Sequence, residues 1–399
     1  MPNLYKLSKL VVLVLLLLAP CVTASAQDDE ERHRAFQLIK EAKYPEALAL
    51  FEKLAVAHPK DVDVIENLGL LVLHQATYLP TPEERKQARK RCRELLLQAV
   101  QLGSPNPLSA LIAGIPEDGG TDESFSTRKE VDDAMREGEA AFGKGEFPKA
   151  VEMYQRALLL DPKLYEAALF IGDVYFKSAE QVKAGEWFAR AIQINPDRET
   201  AYRYWGDSLM KQGKVTEAGD KFVEAYIAEP YNRLARSGFI SWGERVNLTL
   251  AHPRVEFPAG VSKKSDTQTT ITLDPKMLDK GDKDGSAAAW MVYSFTRASW
   301  ATSEFAKQYP DEKTYRHSLK EEATAIRAAL KSLEEKKAPT SDRSLQILQK
   351  LDKDGLLEAY ILLAMPDAGI ATDFAAYRKT NTENLRRYVK QYVMTGGGQ

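Results

Sequence analysis

The sequence predicts an all-α protein: a solenoid of stacked helix pairs, followed by an α-rich C-terminal domain with a small β-hairpin or extended arm. Three observations predict this fold class. Similar side chains recur every 34 residues in the middle of the chain. Within each repeat, apolar residues follow helical spacing on both sides of a short turn. Hydrophobic residues make up 44% of the 399 residues, which is enough to form a packed core.

The repeat places small, aromatic and proline residues at fixed positions. Small residues let two helices approach closely, and an aromatic ring fills the space beside them. Proline ends the second helix because it lacks an N–H and clashes with the preceding turn. Gly145 and Gly213 lie at the turns between paired helices, where a positive φ is often needed. The recurring residues are Gly138, Ala150, Tyr154, Ala157 and Pro162; Gly172, Tyr175, Ala184, Phe188, Ala191 and Pro196; and Gly206, Ala218, Phe222, Ala225 and Pro230.

This pattern resembles the tetratricopeptide repeat family. Residues 165–198 match the family pattern nearly in full, whereas Ala141 and Leu209 stand where the neighbouring repeats would usually carry an aromatic residue. We therefore predict three repeats over residues 131–232. The resemblance implies a superhelix whose concave wall is lined by the first helix of each repeat and holds a peptide or another protein.

The first 26 residues have the organisation of a secretory signal peptide. Two lysines precede an apolar stretch from Leu10 to Ala19, and small residues precede a cleavage site after Ala26. The stretch is short for a membrane span. An uncleaved anchor is one alternative; a lipid-modified Cys21 is another, which the preceding proline disfavours. Export to the periplasm or the exterior would leave Cys92 as the single cysteine, so stability must come from burial.

Residues 27–104 are predicted to form degenerate helices of the same kind. The stretch 44–59 resembles the second helix of a repeat, and Gly69 opens another repeat with a lengthened turn. In the second helix of that repeat, Cys92 and Ala99 take the positions of the two small residues, and Leu96 takes the position of the aromatic residue. Residues 105–130 are rich in Gly, Pro and Ser and are predicted to be a linker or loop, whose apolar part LSALIAGI packs back onto a neighbour.

We predict that a partner binds the concave wall formed by the first helices of the three repeats. Wall positions lie three residues before, one after and four after each repeat glycine. They are Met135, Glu139 and Phe142; Leu169, Asp173 and Phe176; and Arg203, Asp207 and Met210. The three acids form a row beside apolar side chains, which favours a basic or amphipathic partner segment. The alternative is that these acids are solvated and balanced by neighbouring lysines.

The 34-residue period stops after residue 232. Residues 233–285 are predicted to contain a helix that caps the solenoid and an extended or β segment. Residues 286–399 are predicted to form an α-helical C-terminal domain, with amphipathic helices over 286–309 and 312–337.

The sequence offers no strong motif for catalysis, a metal or a cofactor. The acidic stretches 279–285 and 351–355 lack the ligand pattern of a calcium loop, and no His pair stands at zinc spacing. No glycine-rich phosphate loop and no Gly-x-Ser-x-Gly elbow occurs. The densest polar cluster is assigned to an exposed amphipathic helix. It consists of Tyr315, Arg316, His317, Glu321 and Glu322.

These observations predict a non-enzymatic adaptor or scaffold of the bacterial cell envelope that binds a protein or peptide. A net charge of −2 with mixed signs gives no indication of nucleic-acid binding. An alternative makes the C-terminal domain a hydrolase or carbohydrate-binding module to which the repeats present substrate. Clustered acids or histidines in a deep pocket would favour that alternative. A third possibility is a stalk that organises a larger assembly.

Overall fold

The computed structural model of the chain describes residues 28–79, 81–121, 124–265, 268–275, 284–336 and 339–396. The predicted signal peptide lies outside these residues. The described residues form an all-α fold with a small antiparallel hairpin, as predicted. They divide into two compact units: the first ends at Glu180 and the second begins at Gln181. Among the described helices, none combines the length and the apolar character that a membrane span requires.

The first unit consists of helices that pack against their neighbours in the chain. They are α1 (28–40), α2 (Tyr44–Ala57), α3 (Val62–Ala76), α4 (Pro82–Gln101), α5 (Ser109–Ala113), α6 (Lys129–Gly143), α7 (Phe147–Leu160) and α8 (Tyr165–Lys177). Thr81 and Glu84 form a capping box at the start of α4, where Pro82 occupies the first turn. Gly145 takes φ 76° between α6 and α7, as the turn prediction required.

Helices α3 and α4 reproduce the packing of a repeat, and the turn between them, residues 77–81, is shorter than the sequence suggested. A Cβ atom on Gly69 would lie 3.0 Å from Cδ2 of Leu96 in α4. Cys92, Leu96 and Ala99 are fully buried, as their predicted positions in a degenerate repeat require. Burial raises the pKa of Cys92 to about 11, so its thiol is a core group rather than a reactive one.

The segment 105–121 is packed onto the first unit rather than extended from it. Leu108, Ile112 and Ile115 are buried in the same core as α3 and α4. The Arg93 side chain donates to the carbonyl of Ile115 at 3.0 Å. The prediction that this apolar stretch packs back onto a neighbour is therefore confirmed.

The second unit continues the helix pairs and then changes architecture. Its elements are α9 (Gln181–Ile194), α10 (Glu199–Lys211), α11 (Val215–Ala228), α12 (Arg233–Arg245), β1 (Ala259–Ser265), β2 (Gln268–Leu273), α13 (Ser286–Ser299), α14 (Leu319–Lys336), α15 (Arg343–Lys353), α16 (Leu357–Ala364), α17 (Ala368–Ala371) and α18 (Phe374–Tyr388). A π-helical turn, Trp300–Glu304, extends α13 and leads into Phe305–Gln308; another, Val389–Val393, extends α18. The hairpin pairs Val261 with Ile271.

A single hydrophobic core joins α10–α12 to the C-terminal helices of the second unit. Helix α12 covers the end of α11, since Trp242 donates from Nε1 to the carbonyl of Val215 at 3.0 Å. Helix α18 packs on α11 as well, where Arg386 binds Glu224 and Lys390 binds Asp220 at 2.7 Å. The second helix of the last repeat is therefore covered by C-terminal elements.

The helix predicted over 312–337 begins seven residues later, at Leu319, so its predicted start is wrong. Ser318 caps the helix by accepting a hydrogen bond from the backbone N–H of Glu321 at 3.2 Å. Arg316 holds the preceding loop through ion pairs with Glu312 and Asp373. These partners favour a loop where the apolar periodicity alone predicts another helical turn.

Candidate functional site

The pair α6–α7 shows how the repeat positions its side chains. Gly138 lets Tyr154 approach so closely that a Cβ atom on residue 138 would lie 2.4 Å from the ring. The fully buried Tyr154 donates its hydroxyl to Glu139 at 2.6 Å. Glu139 is only 7% exposed, and burial raises the pKa of its carboxyl. Glu139 therefore supports the helix pair and does not stand on an open acidic wall.

The other predicted wall residues of the first unit fall into two groups. Met135 and Leu169 are buried in the core, so they are not available to a partner and their assignment to the wall is corrected. Met135 and Leu169 were assigned to the wall from their helical spacing, but this spacing is that of the helix faces that pack into the core. Phe142, Asp173 and Phe176 are half-buried, and their assignment remains a prediction.

Phe142 belongs to a series of five aromatic rings that line one cavity of the first unit. The ring centroids are 4.5 Å apart between Tyr44 and His74, and 5.1 Å apart between His74 and Tyr78. The centroid of Phe142 lies 5.9 Å from that of Tyr78 and 5.8 Å from that of Phe147. Four of these rings come from α2, α3, α6 and α7, near the helix ends, and Tyr78 lies in the turn after α3. We call the space that they line the aromatic cavity; its volume is about 630 Å³.

Local sequence features shape the aromatic cavity. Gly143 has no side chain, and a Cβ atom there would lie 2.4 Å from Cβ of Tyr78. Lys144 and Gly145 form the turn after α6 and also line the cavity. Helix α7 then begins at Phe147. Only a glycine at position 143 therefore lets the ring of Tyr78 lie against the end of α6.

The charges around the aromatic cavity are cationic. Lys144 and Lys177 line it and are exposed to solvent. Partial desolvation lowers the pKa of His74, and the positive charge of Lys177 lowers it further, so His74 is neutral at pH 7. The cavity can therefore accept an apolar group whose neighbouring negative charge faces the two lysines. Sequence reasoning missed this site because its rings are spread over about a hundred residues.

Three predicted wall residues of the second unit do lie together. Arg203, Asp207 and Met210 on α10 line a cavity of about 210 Å³ with α12, which supplies Ser237, Ser241 and Arg245 among others. Arg203 is bound to Glu199 at 2.8 Å. Burial raises the pKa of Asp207, and the charges of Arg203 and Arg245 oppose that shift. The charge in this cavity is therefore mixed rather than uniformly acidic.

The two acids of the C-terminal polar cluster are buried, contrary to the predicted exposure, whereas Tyr315, Arg316 and His317 are half-buried. Glu321 and Glu322 are fully buried, and Arg297 of α13 reaches both of them, at 2.8 and 3.0 Å. Tyr293 donates to Glu322 at 2.8 Å, and His317 Nε2 lies 2.8 Å from the same carboxylate. The prediction failed because the partner charge, Arg297, comes from another helix.

One atom of this cluster has an unusual position. Oε1 of Glu321 accepts hydrogen bonds from Arg297 and from the hydroxyl of Tyr315, at 2.8 and 2.9 Å. Its Oε2 has no hydrogen-bond partner among the described residues, and burial raises the pKa of the carboxyl. Both carboxylates are enclosed, and their partners are the side chains of Tyr293, Arg297, Tyr315 and His317. In the described part of the chain, no three His, Cys, Asp or Glu side chains are grouped as metal ligands.

Comparison with known proteins gives one family match. Residues 135–199 match the model of the tetratricopeptide repeat. No curated protein matches the chain.

Several solved structures are similar to parts of the chain. The first tetratricopeptide repeat domain of Spaghetti (RPAP3), solved with an HSP90 peptide, is 18% identical over 30% of this chain and 94% of its own, with a TM-score of 0.28. The Sgt2 domain from Aspergillus fumigatus is 21% identical over 32% of this chain and 85% of its own, with a TM-score of 0.29. YrrB is 16% identical over 51% of this chain and 87% of its own, with a TM-score of 0.26.

The 34-residue spacing, the close contact of Gly138 with Tyr154 and the match over residues 135–199 agree with one another. The middle of the chain, residues 135–199, therefore consists of tetratricopeptide repeats.

Proposed function

We propose that this protein is an interaction adaptor, and that its aromatic cavity receives an apolar side chain from an amphipathic segment of another protein. Tetratricopeptide repeats form extended surfaces that bind peptides and proteins. The observation that carries the proposal is the series of five rings around a cavity of about 630 Å³. Pockets that bury ligands typically have volumes of about 300–1,000 Å³ and apolar or aromatic linings.

The charges at the cavity indicate which amphipathic segment fits. Lys144 and Lys177 are both exposed, and the neutral His74 adds no charge. A segment that places an aromatic or aliphatic side chain among the rings and a carboxylate beside it would satisfy both features. The partner segment proposed for this cavity is therefore amphipathic with acidic flanks.

The cavity lined by Arg203, Asp207 and Met210 supports a second contact with the partner. Asp207 favours a basic group there, whereas Arg245 favours an acidic one. In this cavity, the predicted preference for a basic partner segment rests on Asp207.

We also propose that the adaptor works in the cell envelope. The support comes from positions 1–26, where positively charged residues are followed by an apolar stretch and then by small residues. This order is typical of a cleaved signal peptide.

Affinity capture from the envelope fraction, with quantitative mass spectrometry, tests the proposed adaptor. The test compares the wild-type protein with Lys177→Glu, which reverses an exposed charge at the aromatic cavity. We expect partners bound by the aromatic cavity to be recovered several-fold less with Lys177→Glu, because the charge now repels their carboxylates. Phe142→Ala should lose the same partners, provided that its circular dichroism matches the wild type.

Two further variants serve as comparisons. Leu159 is 83% exposed and lies outside the lining, so Leu159→Ser should recover the wild-type set. Asp207→Lys should lose only partners that place a basic group at the second cavity. Equal recovery of every partner by wild type, Lys177→Glu and Phe142→Ala would refute binding through the aromatic cavity.

A further inference from the structure

We propose that β2 of the second unit is a self-association surface, at which a second copy of this chain adds its own β2 to form one antiparallel sheet across the two copies. Among the described residues, β2 pairs with β1 and with no other strand. A strand at the edge of a sheet presents N–H and C=O groups that can pair with another chain. This surface is separate from the two cavities of the proposed function.

The pairing within the hairpin decides which backbone groups of β2 face outward. The N–H of Asp274 donates to the carbonyl of Pro258 at 2.7 Å, so these two residues form a hydrogen-bonded pair. The same register continues along both strands. Hydrogen-bonded and non-hydrogen-bonded pairs alternate in an antiparallel ladder. Thr270 and Thr272 therefore direct their N–H and C=O groups towards β1.

The alternate residues Thr269, Ile271 and Leu273 direct their backbone groups away from β1. Within the ranges that the structure describes, no hydrogen bond occupies these outward N–H and C=O groups. The sequence of β2, QTTITL, also contains no charged residue and no proline, whereas β1 carries Lys263. Charged residues and prolines on an edge strand oppose pairing with another chain, so β2 lacks the protection that β1 has.

The strand β2 is complementary to itself, which makes a second copy the occupant that fits. With a two-fold axis at Ile271, this residue faces Ile271 of the second copy, and Thr269 faces Leu273 of the second copy. Each outward N–H then meets a carbonyl of the other copy. On the opposite face of the sheet, Thr270 lies beside Thr272 of the second copy, and such threonine pairs stabilise antiparallel strands. No like charges meet within this pairing.

The second unit holds the hairpin in place. Before β1 begins, the N–H of Glu256 donates to the hydroxyl of Ser344 on α15 at 3.0 Å. Ala259 at the start of β1 is buried, and α13 packs on both strands. The hydroxyl of Thr269 lies 3.4 Å from that of Thr302 in the π-helical turn after α13. The edge of β2 is thus positioned before a second copy arrives, which reduces the entropy lost on association.

Analytical ultracentrifugation of the full-length chain tests the self-association. One strand pair is a small interface, so we expect a dissociation constant on the order of 100 µM. The fraction of dimer should therefore rise as the protein concentration is raised from about 10 µM to about 500 µM.

Isoleucine 271 supplies the decisive variants. Ile271→Lys places two like charges directly opposite each other at the two-fold axis and should weaken dimerisation about tenfold or more. Ile271→Glu should do the same. An equimolar mixture of the two variants pairs opposite charges, so dimers should reappear in the mixture. Protection of the Thr270 and Thr272 amides in hydrogen exchange checks that each variant keeps the hairpin.

Ser262→Lys is the matched control, because Ser262 is an exposed residue of β1, away from the edge of β2. It adds the same charge to the hairpin and should dimerise as the wild type does. The proposal is overturned if the wild type stays monomeric over the whole concentration range, or if Ile271→Lys dimerises as well as Ser262→Lys. It is also overturned if the mixture of intact variants forms no dimer. None of these results bears on capture of partners by the aromatic cavity.

Discussion

At the scale of single residues, His252 shows how the second unit responds to pH. Its Nδ1 lies 2.8 Å from the hydroxyl of Tyr388, and its Nε2 lies 3.3 Å from the hydroxyl of Tyr226. The ring stacks on Tyr388 with centroids 5.8 Å apart. Burial, with a smaller contribution from the positive charge of Arg236, lowers the pKa of His252 to about 4. The imidazole therefore stays neutral in the folded protein at moderately acidic pH.

We predict that His252 makes the second unit sensitive to acid. Between about pH 6.5 and about 4 the unfolded chain binds a proton at this residue and the folded protein does not. The free energy of unfolding should therefore fall as the pH is lowered through this window, by about 3 kcal/mol from this group. Urea denaturation at a series of pH values measures the effect.

His252→Gln supplies the comparison for this prediction. A glutamine can still donate to one tyrosine and accept from the other, but it does not titrate. We expect the variant to be less stable than the wild type at pH 7 and to lose less stability on acidification. Parallel pH curves for the two proteins would contradict a titration at His252.

At the scale of elements, the structure is determined by contacts between small and large side chains. Trp242 of α12 lies on α11, stacked on Phe239 with 8° between the ring planes. A Cβ atom on Gly219 would lie 2.2 Å from this indole, whereas one on Gly206 would lie 3.0 Å from Phe222. The two glycines belong to adjacent helices of the same repeat but differ in how tightly they are packed.

We predict that Gly219→Ala destabilises the second unit more than Gly206→Ala does. Inserting a methyl group against a held indole forces rearrangement and costs about 1–3 kcal/mol. At Gly206 a smaller clash is partly offset, because alanine favours a helix by about 1 kcal/mol over glycine. Equilibrium urea unfolding of both variants gives the two changes in free energy. An equal loss for both, or a larger loss for Gly206→Ala, would refute this account of packing.

At the scale of the whole molecule, we predict that the exported product begins at Gln27. The apolar stretch from Leu10 to Ala19 should direct export, and small residues should direct cleavage after Ala26. N-terminal sequencing of protein from the envelope fraction measures the start. Leu15→Arg places a charge in the apolar stretch and should leave Met1 on a product that is retained in the cell. A wild-type envelope product that begins at Met1 would contradict cleavage.

The sequence predicted the repeat because each repeat is a local pattern. Gly138 and Tyr154 are separated by sixteen residues, so their contact follows from the geometry of one helix pair. The fold class, the hairpin and the buried positions of Cys92 and Leu96 were predictable on the same grounds.

The sites depend on contacts that no local pattern contains. Glu322 looked exposed because charged residues usually face water, but Tyr293 and Arg297 bind it from another helix. The aromatic cavity likewise combines four helices and the turn after α3, and nothing in the sequence indicates that its five rings come together. Predicting either site requires the tertiary arrangement.

The attachment of α18 to α11 restricts how the last repeat can be used. Arg386 and Lys390 bind Glu224 and Asp220 on the second helix of that repeat, while the cavity on the first helix, α10, stays open. If the protein is the adaptor proposed above, a partner would reach this repeat through α10 alone. Bridging two proteins would then require a second binding surface elsewhere on the chain.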